Sequence, residues 1–409
     1  MFLSNPALGS KEAYVPGLTK EYVAETYGVP LEDVAKLGSA ENPFGPSPKA
    51  LEAVRIATKV DNYPDWTAGV LRRKIAAKYG YDPEQVICGA GETEIISLLI
   101  RAFSAVGDKV LMFVPAFPIY HMTAENEGRV PAFVGMGPEL DFQWDDYLGA
   151  ITDDVRILFL TNPHSPTGRL IRAADIRRVC DAAKDRLVVL DEAYIHFSKS
   201  DGGIDLVRDY GNLIVLRTFS KVFGLAGLRV GFGIAARDII EPLMHIKPTW
   251  NVGALQIAGA CAALDDDDYV NKTVDVIAEM RAYVTDRLAG LNSFSVIGEP
   301  KSNFFLLRIE DETLDSTTIF NELLKRGVIV KDGSVSFIGL GKRYLRIDVS
   351  LKKHMDRLLW ALADIVGAAP RTDAASSSRS RETEAAGAAS AIGVRSNDAA
   401  RDADGNPRL

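Results

Sequence analysis

Short, continuous apolar runs alternate with longer amphipathic stretches along the first two thirds of the chain. Runs of this length rich in Val, Ile and Leu are typical of strands buried on both faces of a sheet. The stretches between them, such as Glu94–Phe103 and Ala173–Ala183, have helical spacing. This alternation predicts an α/β fold with a mostly parallel sheet covered by helices. The clearest runs are Val110–Val114, Ile157–Thr161, Leu187–Leu190 and Leu213–Leu216.

The pattern changes after about Asp265. A long helical stretch, Tyr269–Leu291, precedes several short strand-like runs, and a helical stretch from His354 to about Val366 follows them. This order predicts a second, smaller α+β domain. Its predicted strands are Phe294–Ile297, Phe304–Ile309, Val328–Val330 and Tyr344–Val349.

The pattern divides the chain into four predicted parts. These are an N-terminal arm (1–35), a large domain (36–264), a small C-terminal domain (265–368) and a disordered tail (369–409). The tail is rich in Ala and Ser, has no aromatic residue and has few large aliphatic residues. Such a segment buries too little apolar surface to offset the entropy lost on ordering.

Composition excludes several functional classes. The 409 residues carry a net charge of −8 and no basic block, which argues against a nucleic-acid partner. No apolar run approaches the roughly 20 residues of a membrane-spanning helix. The five histidines show no metal-ligand spacing, and the three cysteines form no close pair. The histidine spacing predicts that the protein has no metal site. Widely separated cysteines are typical of reduced thiols, so we expect a cytoplasmic protein.

One lysine follows an apolar strand in a setting suited to covalent chemistry. The segment Leu216-Arg-Thr-Phe-Ser-Lys221 places this lysine beside the hydroxyl groups of Thr218 and Ser220, with Arg229 eight positions further on. A partly desolvated lysine near other cations can form a Schiff base. Thr218, Ser220 and Arg229 together offer donors to a phosphate.

Three other segments upstream place polar groups at strand ends. Val188-Val-Leu-Asp191-Glu-Ala-Tyr194 ends an apolar strand with a carboxylate, where α/β sheets bind ligands and where it could keep a pyridine nitrogen protonated. Leu160-Thr-Asn-Pro-His-Ser-Pro-Thr-Gly168 is a turn-rich loop after another strand. Ile87-Cys-Gly-Ala-Gly-Glu-Thr-Glu94 places small residues before a helix, whose N–H groups can cradle a phosphate.

These four segments, in this order, resemble the fold-type I pyridoxal-phosphate aminotransferases of class I/II, and among them most closely the histidinol-phosphate aminotransferases. The resemblance runs from about residue 14 to 366. It implies a large domain with a mostly parallel sheet, a smaller α+β domain and pyridoxal 5'-phosphate as cofactor. Further supporting segments are Tyr14-Val-Pro-Gly17, Lys36 to Pro48 (which contains Asn42), Tyr63-Pro64, Pro115-Ala-Phe117, Ser302-Asn303-Phe304 and Leu345-Arg346-Ile347.

The resemblance also implies a role for each matching residue. Lys221 corresponds to the lysine that holds the cofactor and moves the proton, and Asp191 to the partner of the pyridine nitrogen. The residues implied to contact the cofactor ring or its oxygen are Phe117, Ser165 and Tyr194; those implied to contact its phosphate are Gly91, Glu92, Thr218, Ser220 and Arg229.

The substrate side follows in the same way. Arg346 corresponds to the arginine that binds the substrate carboxylate, and Tyr14, Asn42 and Lys331 are further implied substrate contacts. Tyr63 resembles a tyrosine that reaches the cofactor phosphate of a neighbouring subunit, which implies a homodimer. The implied reaction moves an amino group between histidinol phosphate, or a similar donor, and 2-oxoglutarate or glutamate by ping-pong kinetics.

Two departures from the family pattern leave the amino donor open. Ser165 stands where the family has an asparagine that donates to the ring oxygen, and Lys331 stands where it has a phosphate-binding arginine. His164, beside Ser165, is interpreted as a loop residue. The alternatives are an aminotransferase for phenylalanine, tyrosine or a specialised-pathway amine, and, less favoured, a phosphothreonine decarboxylase. A cofactor-binding protein without turnover is disfavoured because the motif residues are all present.

Overall fold

The computed structural model describes residues 17–368. Tyr14 and the predicted tail (369–409) therefore lie outside the described residues. The strands are β1 (Ala35–Lys36), β2 (Val86–Gly89), β3 (Lys109–Val114), β4 (Val130–Gly135), β5 (Val155–Thr161), β6 (Leu187–Asp191), β7 (Leu213–Thr218), β8 (Gly231–Ala235), β9 (Phe294–Val296), β10 (Phe304–Ile309), β11 (Val328–Ile329), β12 (Lys331–Asp332) and β13 (Tyr344–Asp348).

Helices separate most of these strands. They are α1 (Lys20–Tyr27), α2 (Pro48–Ile56), α3 (Gly69–Tyr79), α4 (Glu92–Phe103), α5 (Ile119–Asn126), α6 (Trp144–Gly149), α7 (Ala173–Ala182), α8 (Arg237–Ile246), α9 (Ala254–Ala263), α10 (Asp267–Leu288), α11 (Ser316–Lys325), α12 (Gly333–Ser336) and α13 (Lys352–Ile365). None of the helices in residues 17–368 is long and apolar enough to cross a bilayer.

Seven strands form the central sheet, in the order β2-β8-β7-β6-β5-β3-β4. Strand β8 runs antiparallel to β2 and β7, and the other neighbouring pairs are parallel, so the predicted α/β class with a mostly parallel sheet is confirmed. The four predicted apolar runs are the strands β3, β5, β6 and β7. The sequence pattern missed β2, β4 and β8: β2 is short, β8 is interrupted by glycines, and β4 is a partly exposed edge strand containing Pro131.

Both faces of the central sheet are covered, which explains why its strands are apolar throughout. Along β3, Val110 and Met112 belong to one hydrophobic cluster, whereas Leu111 and Phe113 belong to another. Because successive side chains point to opposite faces, each residue of such a strand is buried against one of two helical layers.

The C-terminal strands form a separate four-stranded antiparallel sheet in the order β12-β13-β10-β9. The predicted run Val328–Val330 does not join it: its first two residues form β11, which pairs in parallel with β1. Strand β12, directly after it, pairs with β13 and sets Lys331 opposite Arg346. The segment after β1 contacts the end of β13, because the Asp348 N–H donates to the Leu37 carbonyl oxygen (3.0 Å).

Strand register brings three predicted segments to one edge of the central sheet. Thr161 at the end of β5 is in register with Asp191 at the end of β6, which is in register with Leu216 near the end of β7. The carboxyl ends of neighbouring parallel strands meet at the same edge, where α/β sheets bind ligands.

We predict that Gly224, in the turn after Lys221, tolerates no side chain. Its φ is +70°, and a Cβ there would lie 1.9 Å from the Gly45 carbonyl oxygen. Gly224→Ala should lower the free energy of unfolding by about 2–4 kcal/mol in urea denaturation, because it combines left-handed backbone strain with overpacking. Gly227→Ala is the matched control: a Cβ at Gly227 meets no atom within 4 Å, so the change should stay below about 1 kcal/mol. Equal losses in the two variants would contradict this prediction.

Candidate active site

A cavity of about 1560 Å³ opens at the carboxyl edge of the central sheet and extends to β12 and β13. It brings together most of the predicted site residues. The predicted residues Gly91, Asn42 and Tyr63 do not line the cavity. The predicted residues that line the cavity are Glu92, Phe117, Ser165, Asp191, Tyr194, Thr218, Ser220, Lys221, Arg229, Lys331 and Arg346.

Lys221 lines this cavity and lies three residues after β7. Its Nζ donates to the Ser39 carbonyl oxygen (3.2 Å) and lies 5.3 Å from the centre of the Tyr194 ring. Burial, reinforced by the nearby Arg346 guanidinium, lowers the pKa of Lys221 to about 8. A lysine with this pKa has far more neutral, nucleophilic amine near neutral pH than an ordinary lysine does.

Asp191, at the end of β6, is buried and held by two donors. Its carboxylate accepts hydrogen bonds from the Tyr120 hydroxyl and from the Ala193 N–H (3.0 Å). Burial raises the pKa of Asp191, while the Tyr120 and Ala193 hydrogen bonds act in the opposite direction. The Tyr120 hydroxyl also lies 3.0 Å from the Thr161 hydroxyl, so one tyrosine connects the ends of β5 and β6.

Tyr120 was missed in the sequence, although a signal was present. It lies three residues after Phe117, and the two rings meet edge to face at 5.6 Å. The pattern Pro115-Ala-Phe117 predicted only the first of these aromatic residues. The signal for Tyr120 is its position three residues after an aromatic residue that the resemblance already assigns to the site.

Thr218, Ser220 and Arg229 form a cluster of side-chain donors at the start of α4. The Gly91 N–H, predicted as a further donor to the cofactor phosphate, instead donates to the Gly89 carbonyl oxygen (2.8 Å). Thr218 Oγ1 donates to Ser220 Oγ (3.1 Å), and Arg229 Nη1 lies 3.4 Å from the same oxygen. Gly91 caps α4 with φ +80°, and a Cβ there would lie 2.2 Å from Arg229 Nη2. A helix N-terminus beside hydroxyl groups and a guanidinium suits an anion.

Glu92, the first residue of α4, is predicted as a backbone donor, yet its side chain also belongs to the cavity wall. It is buried, and its Oε1 has no hydrogen-bond partner among the described residues. Burial raises the pKa of Glu92 well above its usual range, and the neighbouring Asp191 carboxylate raises that pKa further. Two neighbouring buried carboxyl groups do not readily ionise together, which adds to the effect of burial on the pKa of Glu92.

Ser165 and His164 are adjacent in the chain but face different surroundings. Ser165 lines the cavity, and its buried Oγ has no hydrogen-bond partner among the described residues. His164 is buried away from the cavity: its Nδ1 lies 2.9 Å from Thr167 Oγ1, its ring meets Phe142 edge to face at 5.4 Å, and burial lowers the pKa of the ring to about 3. His164 does not line the cavity, in line with its interpretation as a loop residue.

Arg346 and Lys331 form the opposite end of the cavity. Arg346 Nη2 donates to the Gly38 carbonyl oxygen (3.0 Å), and its guanidinium lies 4.9 Å from the centre of the Phe304 ring. Lys331 lies across from Arg346 in the β12–β13 register. Burial lowers the pKa of Lys331, and the nearby Arg346 charge lowers it further.

Two predicted residues lie beside the cavity rather than on its wall. The Asn42 amide donates to the Val222 carbonyl oxygen (2.8 Å) and accepts from the Phe44 N–H (3.0 Å), so it ties its loop to the residue after Lys221. Tyr63 is 78 % exposed and stacks on Trp250, with ring centres 4.2 Å apart. Their roles, and that of Tyr14 outside the described residues, stay predictions.

The family comparison covers most of the chain. The family model "Aminotransferase class I and II" matches residues 32–362. Histidinol-phosphate aminotransferase of Methanocaldococcus jannaschii is 37% identical over 358 residues, which are 86% of this chain and 95% of that protein. The protein of the same name from Anaeromyxobacter sp. is 38% identical over 373 residues, which are 90% and 100% of the two chains.

Solved structures agree with these relatives. The histidinol-phosphate aminotransferase from Clostridium acetobutylicum has a TM-score of 0.77 and 25% identity, covering 82% of this chain and 99% of that one. The one from Sinorhizobium meliloti, in complex with pyridoxal-5'-phosphate, has a TM-score of 0.79 and 24% identity, covering 89% and 97%. This chain belongs to the class I and II aminotransferases.

Proposed function

We propose that this aminotransferase uses pyridoxal 5'-phosphate to move an amino group between histidinol phosphate and 2-oxoglutarate. The observation that carries the proposal is the pair of cations Lys331 and Arg346, which line the same cavity as Lys221. An amino donor with a phosphate and an amino acceptor with two carboxylates both need cationic partners close to the reacting amine. The relatives named histidinol-phosphate aminotransferase support this choice of donor.

The cavity residues fit the cofactor. Thr218, Ser220 and Arg229, with the N–H groups at the start of α4, would hold its phosphate, and the φ of +80° at Gly91 favours glycine at the position beside Arg229. When bound, the cofactor supplies an electron sink for the carbanion that forms when Cα loses its proton.

The contacts with the cofactor ring divide among four residues. Asp191 would hold a protonated pyridine nitrogen, and Phe117 would pack against the ring. Ser165 has a buried hydroxyl without a partner among the described residues, so its Oγ is available as a donor to the ring oxygen, where Tyr194 would be the second donor. A short serine in the usual asparagine position is therefore compatible with the site.

Lys221 would hold the cofactor and then move the proton at the substrate's Cα. Burial and the Arg346 charge, which hold the pKa of Lys221 at about 8, keep part of the amine neutral and able to accept a proton near neutral pH. Its hydrogen bond to the Ser39 carbonyl directs the amine into the cavity.

We also propose that the protein is a homodimer. Large apolar side chains are exposed on α2, on the loop between α2 and α3 that contains Tyr63, at the start of α3, and on α9 and the loop before it. Helix α9 packs against α2 and α3. Large exposed apolar side chains concentrated on neighbouring elements are typical of a protein interface. A second copy would cover it and bring Tyr63 to the partner's cavity. The exposed residues are Leu51, Ile56, Val60, Tyr63, Trp66, Val70, Trp250 and Leu255.

We further propose the division into an arm (1–35), a large domain (36–264) and a small domain (265–368). The strands of the central sheet all lie between Val86 and Ala235, and those of the antiparallel sheet between Phe294 and Asp348, which supports the division. Cys88 and Cys180 are buried as free thiols, which suits a reducing compartment such as the cytoplasm.

Phenylalanine or tyrosine is the second candidate donor. The aromatic side chains of Phe117, Phe320 and Phe337 line the cavity and could pack against an aromatic ring. The imidazole of histidinol phosphate could use the same surface. Lys331 therefore distinguishes the two donors. A phosphate carries close to two negative charges and suits two cations, Arg346 and Lys331, whereas the single carboxylate of phenylalanine needs only Arg346.

The decisive experiment is a transamination assay with a panel of amino donors. We expect glutamate to form from 2-oxoglutarate fastest with histidinol phosphate, and Lys221→Ala to abolish turnover and the visible absorption of the bound cofactor. Lys199→Ala, an exposed lysine paired with Asp275, is the control and should keep activity. Faster turnover of phenylalanine would replace the proposed donor, and carbon dioxide release from phosphothreonine would replace the proposed reaction.

A second prediction concerns Lys331 alone. Lys331→Met should raise KM for histidinol phosphate about 10- to 100-fold, the effect of losing one charge-assisted contact, and leave KM for phenylalanine within about threefold. Lys331→Arg should restore most of the loss because it keeps the charge. Equal changes in KM for the two donors would show that Lys331 does not recognise the phosphate.

The dimer can be tested by complementation between two defective subunits. Lys221→Ala lacks the central amine, and we expect Tyr63→Ala to bind the cofactor weakly. Co-expression should restore activity, because a mixed dimer has one site with Lys221 from one subunit and Tyr63 from the other. A monomeric mass by light scattering, or no restored activity in a verified mixed dimer, would contradict the prediction.

A further inference from the structure

The orientation of Arg346 is fixed by neighbours that carry no charge. Its guanidinium is buried and donates from Nη2 to the Gly38 carbonyl oxygen (3.0 Å). The ring centres of Phe304 and Phe337 lie 4.9 and 5.6 Å from its central carbon. Its Nε is buried without a hydrogen-bond partner among the described residues. One carbonyl and two aromatic rings therefore hold the group in place.

Asp348, two residues further along β13, supplies a negative charge without a matching hydrogen bond. Its Oδ1 lies 3.3 Å from Arg346 Nη2, with side-chain exposures of 5% and 7%. That Oδ1 has no hydrogen-bond partner among the described residues, whereas Oδ2 accepts from the Ala40 N–H. The contact with Arg346 is therefore mainly one of charge.

The Asp348 carboxylate does not line the cavity, whereas the neighbouring cations do. Lys221, Lys331 and Arg346 line the cavity, and Asp348 does not. The carboxylate of Glu41 is paired with Lys36. Asp348 is the anion in direct contact with Arg346 among residues 17–368.

We propose that Asp348 is a built-in counter-charge that sets how strongly Arg346 holds substrate and product anions. It compensates the buried guanidinium when no substrate is bound, and it weakens the hold on each anion so that product leaves. The proposal rests on the proposed function, in which Arg346 binds the anionic group of the substrate. Asp348 acts on the substrate only through its effect on Arg346 and is therefore not a catalytic residue.

The physical reason lies in the cost of a buried charge. A guanidinium removed from water without a counter-ion is strongly unfavourable, so Arg346 needs an anion in every state of the cycle. A ping-pong reaction releases a product in each half-reaction, and binding that is uniformly tight slows release without helping the chemical step. A resident carboxylate meets both requirements.

The test uses the holoenzyme and maleate, an unreactive dicarboxylate, titrated against the visible absorption of the bound cofactor. Asp348→Asn keeps the shape and an oxygen for the Ala40 N–H but removes the charge. We expect the dissociation constant of maleate to fall about tenfold, the effect of removing one nearby buried charge. KM for 2-oxoglutarate and kcat should both fall, because product release becomes slower.

Three controls define the outcome. Asp175→Asn, another buried aspartate beside arginines but away from the cavity, should leave maleate binding unchanged. In an Arg346→Gln background, Asp348→Asn should produce no tightening, and a tightening there would overturn the proposal. Asp348→Thr, a smaller uncharged variant, should change affinity in the same direction as Asp348→Asn. Weaker maleate binding in a folded Asp348→Asn protein, or loss of folding in both Asp348 variants, would show an orienting or structural role and overturn the proposal.

The two hypotheses fail in different ways. If wild type does not transaminate histidinol phosphate but the maleate result holds, the proposed donor is wrong and the role of Asp348 stands. If wild type uses histidinol phosphate but Asp348→Asn binds maleate no more tightly, the donor stands and the role of Asp348 is wrong.

Discussion

Parallel pairing of β5, β6 and β7 is the constraint on which the site depends. Their register places Thr161, Asp191 and the residues before Lys221 at one edge, although these lie up to 60 positions apart in the sequence. Main-chain hydrogen bonds and two covered faces fix that register, because a slip by one residue would move every side chain to the opposite face. The chemistry is therefore positioned by the most buried part of the protein.

The same burial decides the charge states of the site. Burial lowers the pKa of Lys221 and raises the pKa values of Asp191 and Glu92. A buried charged group is then stable only beside a hydrogen-bonding or oppositely charged neighbour. Tyr120 supports Asp191, and Asp348 lies against Arg346. Carboxyl groups and cations therefore lie close together both at the sheet edge, where Asp191 and Lys221 line the cavity, and at β13, where Asp348 lies against Arg346.

The sequence predicted local features well where one physical signal dominated. The apolar runs of β3, β5, β6 and β7 were found because strands buried on both faces need apolar residues throughout. Strands β2, β4 and β8 carry weaker signals, since glycines or partial exposure interrupt the run. The pairing of β1 with β11 joins residues almost 300 positions apart, and no local pattern contains that information.

The sequence by itself determined the α/β class, the aminotransferase family and the residues at the strand ends, because those motifs depend on residue type and local spacing. Only the tertiary structure decided that Tyr120 bonds Asp191, that Asn42 points to the Val222 carbonyl, and that Asp348 lies against Arg346. Each of these contacts joins elements whose distance depends on packing. The sequence shows which side chains can carry a charge. Which residue lies against a buried charge depends on how the elements pack, because only burial makes such a partner necessary.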